Sequence, residues 1–522
     1  MAALIFARAG LVRVVRPVSD FYAAGRLMPG FLNSLAIAAS SVAALVFVGA
    51  FGAVGFDWEG VTAPLLGAGF GLVLAGFLLA PYLRAYGGYT MPDFFAERFD
   101  GETMRPLGVL AVLLCSFPAL AAVLLAFGFL ANGVFALPLG VGVGAGIALI
   151  LVATLIGGMR SLSLSQIAYY AVLLIAGLIA ILVVLWQAGT PFTMDTVLID
   201  EVVPSFGNDV FLGNAAFTQN SPVNSFALFF CVAAGVASMP YLLMRSFTTP
   251  SAEGARFAFV AAPIFVLLLG VSAPAFAALF EAARIAAGDA LSMISEALLV
   301  VGAVAALLAT GAALALSIGN VLSYDLFYKS LQPEAPVSRQ LLVARVCIVG
   351  VTGLGGAAAL LSPDAMLTAT AAAFSLAASS LLPVLVLGVW WKRLSSDAAV
   401  AGLVAGLVVC LYYMIAPHTI PFLFYESSSF LSDATDLQVA VYEGLRHDYY
   451  LAAGDPAVQA TLLPEWGASV RPIANWFGVH GALAGVFAVP VGFLVMTVVG
   501  LFTSAPSKDV QRFVDELRTP TA

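Results

Sequence analysis

The sequence predicts an all-α polytopic membrane protein, and three observations support that fold class. Hydrophobic residues make up 62% of the 522 residues, and charged residues make up only 10%. The mean hydropathy is +1.04, which is far from the value of a soluble domain. The apolar residues are also gathered into runs of about 20 residues, the length that an α-helix needs to cross a hydrocarbon core of about 30 Å.

Apolar runs of this length predict about 12 transmembrane helices. The predicted spans cover residues 31–56, 62–84, 104–132, 135–157, 163–187, 224–248, 255–284, 293–320, 338–362, 367–390, 397–416 and 478–503. Short loops connect most of them, so neighbouring spans run in opposite directions.

An acidic segment without Lys or Arg, residues 188–223, separates two sets of five predicted spans, 31–187 and 224–390. Because each set holds an odd number of spans, the second set must enter the membrane inverted relative to the first. We therefore predict a core of five plus five helices built as an inverted repeat. In such a core, ligands bind near the midplane, between the first helices of the two halves.

The distribution of basic residues predicts the orientation of the chain. With both termini in the cytoplasm, all but three of the 21 Lys and Arg residues lie on the cytoplasmic side, in agreement with the positive-inside rule. The three exceptions are Arg284, Arg446 and Arg471. This orientation makes residues 1–30 a cytoplasmic N-terminal segment. Residues 391–522 then hold two extra spans, a long extracytoplasmic loop at 417–475 and a cytoplasmic tail.

Several classes of function are disfavoured by what the sequence lacks. No GxxxxGK[ST] phosphate loop occurs, which argues against direct nucleotide hydrolysis. No Ser/His/Asp or Cys/His constellation falls in one compartment, which argues against a membrane enzyme. The four cysteines each lie in a predicted span and are interpreted as packing residues, without disulfides or a metal pattern. We expect no cofactor and no nucleic-acid partner.

Two helices carry the features of a candidate site. The sixth span contains Ser238 and Pro240, and the proline predicts a kink or break near Val236, the residue four positions earlier. The segment 305–329 of the eighth span contains Thr310 in a run built mainly of Ala and Leu. A lone polar group at membrane depth is a candidate functional group. Backbone carbonyls of an unwound helix together with a hydroxyl can hold a hard monovalent cation.

Other polar residues allow ordinary structural interpretations. Ser40 and Ser41 lie in a span rich in small residues, and such residues serve close helix packing more often than they form a site. Ser163, Ser165 and Gln166 fall at the start of the fifth span, where they could cap the helix or face a vestibule, and capping is the ordinary role. The charges of the connector at 84–98 are interpreted as a solvated face. No Asp, Glu, Lys, Arg or His lies well inside a predicted span, which disfavours a proton relay.

Seven stretches, distributed over nearly the whole chain, resemble the sodium/solute symporters, and within them the acetate-permease-like branch of cation–monocarboxylate symporters. The stretches are DFYAAGR (20–26), MPDFFAERF (91–99), GGMRSLSLSQ (157–166), ASMPYLLMRSFTTPS (237–251), IGNVLSYDLFYK (318–329), AFSLAASSLLPVLVLGVWWKR (373–393) and DVQRFVDELRTP (509–520).

The resemblance implies a LeuT-type core that works by alternating access. It implies sodium-coupled symport of a small organic anion, such as acetate or another short monocarboxylate, at the inner membrane of a bacterium. Sodium is then the expected coupling ion. Membrane lipid surrounds such a protein, and the branch often has a small two-helix partner subunit.

Carried over by position, the resemblance also implies a sodium site. Its ligands would be the backbone carbonyls of Ala39, Val42 and Ala306, with the side-chain positions Ala309 and Thr310. Relatives usually have two hydroxyls at the last two positions, and here an alanine replaces one of them.

The candidate substrate contacts are Ser40, Ser41, Gln166, Ser238, Tyr241 and Phe374. Ser40 and Ala312 stand where the acetate-permease branch places acids, and Tyr241 stands where many relatives carry His. These replacements motivate an alternative hypothesis. In that alternative, the chain is a degenerate symporter homologue that acts as a sensor, a regulatory subunit or an uncoupled facilitator.

Overall fold

The computed structural model describes residues 18–41, 58–100, 103–188, 221–285, 290–361 and 366–519. Within these ranges the chain is helical, apart from turns and an isolated bridge between Ser432 and Trp476. The α-helices are α1 (Val18–Ala23), α2 (Gly30–Ser41), α3 (Trp58–Leu78), α4 (Ala80–Tyr86), α5 (Met91–Phe99), α6 (Met104–Phe135), α7 (Leu139–Leu155), α8 (Gly158–Ala188), α9 (Pro222–Ser238), α10 (Pro240–Leu243), α11 (Ala252–Ile285), α12 (Ala290–Asn320), α13 (Val337–Leu361), α14 (Met366–Trp390), α15 (Ser396–Thr419), α16 (Pro421–Ser428), α17 (Asp436–Leu451), α18 (Pro456–Val470), α19 (Gly485–Phe502) and α20 (Lys508–Arg518).

The predicted polytopic class is confirmed. Eight of the described helices are long and apolar enough to cross a membrane, and two bent helix pairs bring the number to as many as 10. The two other predicted spans contain α2, which is described as far as Ser41, and α7, an apolar helix of 17 residues. Large apolar side chains remain exposed along the helices, as expected for contact with lipid, among them Phe70, Phe77, Leu182, Ile264 and Val346.

The helix pairings repeat after five spans, as the predicted inverted repeat requires. In the first half, α2 packs on α11 and on α8, and α6 packs on α7 and on α14. In the second half, α9 packs on α3 and on α14, and α12 packs on α13 and on α8. Exchanging each helix for the one five spans later converts the first set of pairings into the second. The two halves therefore use the same packing plan.

The sixth predicted span is broken, but not at Val236. Helices α9 and α10 meet at Met239, whose backbone is extended (φ −66°, ψ 124°), and the two helical segments of the span are bent by 43°. A proline disfavours the α conformation of the residue directly before it, and its own fixed φ suits the first turn of a new helix. The break therefore falls at Met239, and Pro240 begins α10.

The eighth predicted span is longer than its apolar run. After α12, the helix continues as a π-helix over Val321–Leu331, so that the span as a whole covers Val300–Leu331. This extension carries Asp325, which has no exposed surface. Arg245, in the short helix after the Met239 break, is also completely buried. Both residues lie near the ends of their spans, which are at Thr248 and Leu331, and are enclosed by protein rather than by water.

The predicted loop 417–475 is largely helical. It contains α16, α17 and α18, which pack through aromatic side chains. The Trp466 ring lies 4.1 Å from the ring of Phe422 and 5.2 Å from that of Tyr449, measured between centroids. The segment is a small helical layer between the last two spans.

Candidate functional site

Thr310 lies at the contact between α12 and α2. Its hydroxyl donates a hydrogen bond to the backbone carbonyl of Ser40 at 3.2 Å, although the two residues are 270 positions apart in the chain. The Thr310 side chain is buried, with 7% of the residue exposed. The structure thus joins the first and eighth spans at the hydroxyl that the sequence singles out.

Three more of the predicted ion-site residues lie close to Ser40 or Thr310 in the sequence. Ala39 precedes Ser40, and Ala306 and Ala309 lie on the turn of α12 before Thr310; all three are completely buried. Val42 lies outside the described residues. The oxygens at this contact include neutral backbone carbonyls and the Thr310 hydroxyl. Such oxygens fit a hard cation that needs several oxygens at short range.

Gln166 joins a third helix to the same place. Its side-chain Nε2 donates to the backbone carbonyl of Ala309 at 2.6 Å, which links α8 to α12 across 143 positions. Its Oε1 is buried and has no hydrogen-bond partner. A buried polar atom without a partner is rare in a folded protein and needs an explanation. The capping role is wrong for Gln166, because α8 already begins at Gly158 and the side chain bonds to another helix.

The serines among the candidate substrate contacts are buried and bonded within their own helices. Ser40 donates to Ala36 at 2.9 Å, Ser41 donates to Ala38 at 3.3 Å, and Ser238 donates to Ala234 at 2.9 Å. Their hydroxyl protons are therefore occupied, and only their oxygens could accept from a ligand.

Tyr241 lies in the broken span, and Phe374 lies on α14, which packs against that span. Neither residue is part of the contact at Thr310. A Cβ atom added to Gly235 would lie 2.6 Å from the carbonyl oxygen of Phe374, so α9 and α14 are in very close contact there. Tyr241 is buried in α10, two residues after the break at Met239. The candidate residues therefore divide between the α2–α8–α12 contact and the broken span.

Arg245 is a buried residue that the sequence reasoning did not place in the site. Its Nη1 donates to the Ser163 hydroxyl at 2.7 Å, and its backbone carbonyl accepts from Asn33 Nδ2 at 3.0 Å. These contacts tie the segment after the break to α8 and to α2. The available signal was an arginine five residues after a helix-breaking proline, inside a hydrophobic run.

Two of the connector charges, Asp93 and Arg98, do not lie on a solvated face, whereas Glu97 is exposed and Arg84 is half-buried. Asp93 is 6% exposed and accepts from Arg105 Nη1 at 3.1 Å, and the same nitrogen lies 2.9 Å from Asp325 Oδ1. Arg98 is completely buried, and its guanidinium donates to three carbonyls at the end of α14. Those carbonyls belong to Gly388, Trp391 and Leu394. A helix C-terminus attracts basic side chains, which explains the burial.

The helical repeat and the broken span define a membrane protein of the LeuT-type fold, and the family to which it belongs consists of transporters rather than enzymes. A model of the sodium:solute symporter family matches residues 21–291 and 288–406. The chain belongs to the sodium:solute symporter family, and this assignment supports sodium-coupled transport of a solute.

Two relatives of this chain are named as a symporter and as a transporter. An uncharacterized symporter of Cupriavidus necator is 28% identical over 673 aligned residues, with coverage of 98% of this chain and 92% of the relative. A monocarboxylic acid transporter of Corynebacterium glutamicum is 27% identical over 440 residues, with coverage of 75% and 78%.

The solved structure of a substrate-bound, outward-open Na⁺-coupled sialic acid symporter has a similar fold. Its TM-score with this chain is 0.68 at 13% identity, and the match covers 97% of each chain. At that identity the likeness shows the fold alone, and it confirms the predicted fold class.

Proposed function

We propose that the protein couples the inward movement of sodium to the uptake of a short monocarboxylate, such as acetate. The transport would take place across a bacterial inner membrane, with both termini in the cytoplasm. The Thr310–Ser40 contact is the observation that carries the sodium part of the proposal, because it puts a hydroxyl and a backbone carbonyl from two spans within hydrogen-bond distance at membrane depth. The monocarboxylate is supported by the sequence resemblance and by the name of the Corynebacterium relative, a monocarboxylic acid transporter.

In this proposal, sodium is held by the carbonyls of Ala39, Val42 and Ala306 together with the Thr310 hydroxyl. The ion replaces the Thr310–Ser40 hydrogen bond, and the hydroxyl oxygen then faces the cation. Gln166, which the sequence predicts as a substrate contact, instead supports the sodium site in this proposal, because its amide donates to the Ala309 carbonyl. Ser40, Ser41, Ser238, Tyr241 and Phe374 stay candidate substrate contacts. A small two-helix partner subunit stays a prediction.

The experiment compares uptake of labelled acetate by proteoliposomes with an inward sodium gradient and with an equal potassium gradient. Wild-type protein should accumulate acetate only with sodium. A contact to a charged group contributes about 1.5–3 kcal/mol, so Thr310→Ala should raise the sodium concentration for half-maximal uptake roughly ten- to a hundredfold. Thr310→Ser keeps the oxygen and is the matched control. Equal uptake in both gradients would contradict the sodium coupling.

The same assay separates the symporter from the degenerate homologue, which the missing hydroxyl at Ala309 favours. Ala309→Ser restores the second hydroxyl of the family pattern. A working but weakened site should then bind sodium more tightly, and half-maximal uptake should shift to lower sodium. No uptake by either the wild type or Ala309→Ser would favour a sensor or regulatory subunit. Sodium-independent uptake would favour an uncoupled facilitator.

A further inference from the structure

The Arg245 guanidinium is buried and largely without hydrogen-bond partners. Its Nη1 donates to Ser163, whereas its Nε and Nη2 are buried and have no partner. None of the ion pairs among the described residues involves Arg245. The next residue, Ser246, also has a buried hydroxyl oxygen without a partner. Three unsatisfied polar atoms thus occur in two consecutive residues.

Such an arrangement is costly unless a ligand compensates it. A charge removed from water without a counter-charge strongly destabilises a fold, and the penalty is greatest when its hydrogen-bond donors also lack partners. The single neutral partner, Ser163, satisfies one of the three guanidinium nitrogens. This pattern is typical of a site that binds an anion in another step of the transport cycle.

The unpartnered atoms define the chemistry of that anion. The Nε and Nη2 hydrogens lie on one edge of the planar guanidinium, and this edge can form two parallel hydrogen bonds with a carboxylate. A hydroxyl such as that of Ser246 can donate a third hydrogen bond. A short monocarboxylate has the single planar anionic group that this edge fits.

The position of Arg245 relative to the ion site indicates at which step of the transport cycle the arginine would bind the anion. Ser163, its partner, precedes Gln166 by three residues on α8, a rise of about 4.5 Å. In the proposed orientation α8 enters from the cytoplasm, so Arg245 lies nearer the cytoplasm than the Gln166–Ala309 contact. Its backbone carbonyl accepts from Asn33 on α2, so two of the three helices at the ion site, α2 and α8, also contact the arginine.

We propose that the Nε–Nη2 edge of Arg245, assisted by the Ser246 hydroxyl, binds the carboxylate of the transported monocarboxylate on its way to the cytoplasm. This is a second anion site, used when the protein opens inward. The inference rests on the proposed function for the identity of the anion and for the orientation of the chain.

The test measures the KM for labelled acetate separately at each face of the membrane. Right-side-out vesicles report the outer face, inverted vesicles report the cytoplasmic face, and vesicles without the protein correct for passive diffusion of acetic acid. Arg245→Gln should raise the KM at the cytoplasmic face by about tenfold or more, because a buried charge-assisted pair is lost. The KM at the outer face should change by less than about twofold, since the arginine is not part of the outward-facing step. Arg245→Lys keeps the charge but lacks the planar edge that makes two parallel hydrogen bonds, so it should give an intermediate KM at the cytoplasmic face.

Two control variants separate this role from a structural one. Arg256→Gln removes a charge from an exposed arginine at the same end of the protein, on α11, and should leave both KM values unchanged. Ser246→Ala removes an unsatisfied hydroxyl, so a purely structural role predicts equal or higher thermal stability and an unchanged KM. The anion site predicts instead a higher KM at the cytoplasmic face only. Equal cytoplasmic KM values for Arg245→Gln, Ser246→Ala and the wild type would overturn the inference.

A binding measurement separates failure of the inference from failure of the proposed function. Purified full-length protein is unfolded by heat in sodium acetate and in sodium chloride of equal ionic strength. Higher stability in acetate that is lost in Arg245→Gln supports the anion site, even if the vesicles show no sodium coupling and the proposed function fails. No extra stability of the wild type in acetate would overturn the inference.

Discussion

Single residues at the α2–α8–α12 contact show how a neutral ion site is assembled. Thr310 has the hydroxyl, Ala309 lacks one, and the Gln166 amide occupies the Ala309 carbonyl with its nitrogen. The unpartnered Gln166 Oε1 lies on the same amide, so an additional neutral oxygen is buried beside the position where the family pattern has a second hydroxyl. Neutral oxygens allow sodium binding without a titratable group at the site.

His480, directly before the last span, is expected to make stability depend on pH. Burial, with a smaller contribution from His418, lowers the pKa of His480 to about 4 from the usual 6.5. The neutral ring accepts a hydrogen bond at Nδ1 from the backbone N–H of Ala482, at 3.2 Å. Between these two pKa values the unfolded chain binds more protons than the folded chain. The stabilisation is therefore fully present above about pH 6.5 and is lost as the pH falls towards about 4.

The measurement is the thermal unfolding temperature of the purified protein between about pH 7 and about pH 4.5, for the wild type and for His480→Asn. Asparagine can cap the same N–H but does not titrate in this range. The variant should therefore lose less stability on acidification than the wild type. Identical pH profiles would show that other groups cause the acid sensitivity.

At the scale of the helices, one close contact packs α9 against α14 four residues before the break at Met239. α9 and α14 approach so closely that a Cβ atom on Gly235 would lie 2.6 Å from a backbone oxygen and 2.7 Å from the Cβ of Phe374. This pairing is the counterpart of α2 on α8 in the first half. Glycine is needed here for space, and the contact holds the first part of the broken span in place.

Gly235→Ala should destabilise the protein by about 1–3 kcal/mol, because an added methyl group in a packed interior forces backbone shifts. Transport should fall with it, since the candidate contact Phe374 lies at this helix crossing. Gly350→Ala is the matched control, because nothing lies within 4 Å of its added Cβ. The control should be neutral or slightly stabilising, as expected for Gly→Ala in an open helix position. Thermal unfolding and acetate uptake measure both variants, and equal stability of the two would contradict the packing argument.

At the scale of the whole molecule, a buried charge cluster joins three separate elements. Arg105 of α6 contacts Asp93 of α5 at 3.1 Å and Asp325 in the extension of α12 at 2.9 Å. Close by, the Tyr22 hydroxyl of α1 is 3.0 Å from the Ser323 hydroxyl on the same extension. Helices α1, α5 and α6 are therefore all linked to the extension of α12 at one end of the bundle.

Arg105→Gln should destabilise the protein by about 3–5 kcal/mol, because it leaves two buried carboxylates without their cation. Asp325→Asn added to Arg105→Gln should recover part of that loss, since it removes one of the unpaired charges. Thermal unfolding of the two single variants and the double variant measures the coupling. Arg446→Gln is the control, since its contacts with Glu426 and Glu443 are exposed and such pairs contribute about 0–1 kcal/mol. Strictly additive effects of the Arg105 and Asp325 changes would show that the two residues do not interact.

Local patterns were sufficient for the general plan of this protein. Hydropathy located the membrane spans, because each span must be apolar over its own length whatever it packs against. The odd number of spans in each half predicted the repeat, and Pro240 predicted a broken span to within three residues. Thr310 stood out because a hydroxyl at membrane depth is unusual in any context.

Contacts between distant parts of the chain decided the rest. Nothing near Thr310 in the sequence indicates that its hydroxyl meets the Ser40 carbonyl 270 residues away, or that Gln166 bonds to Ala309 rather than capping α8. The burial of Asp93, Arg98 and Arg245 was missed for the same reason. A charge near the end of an apolar run can be solvated or enclosed, and only the helices packed around it determine which.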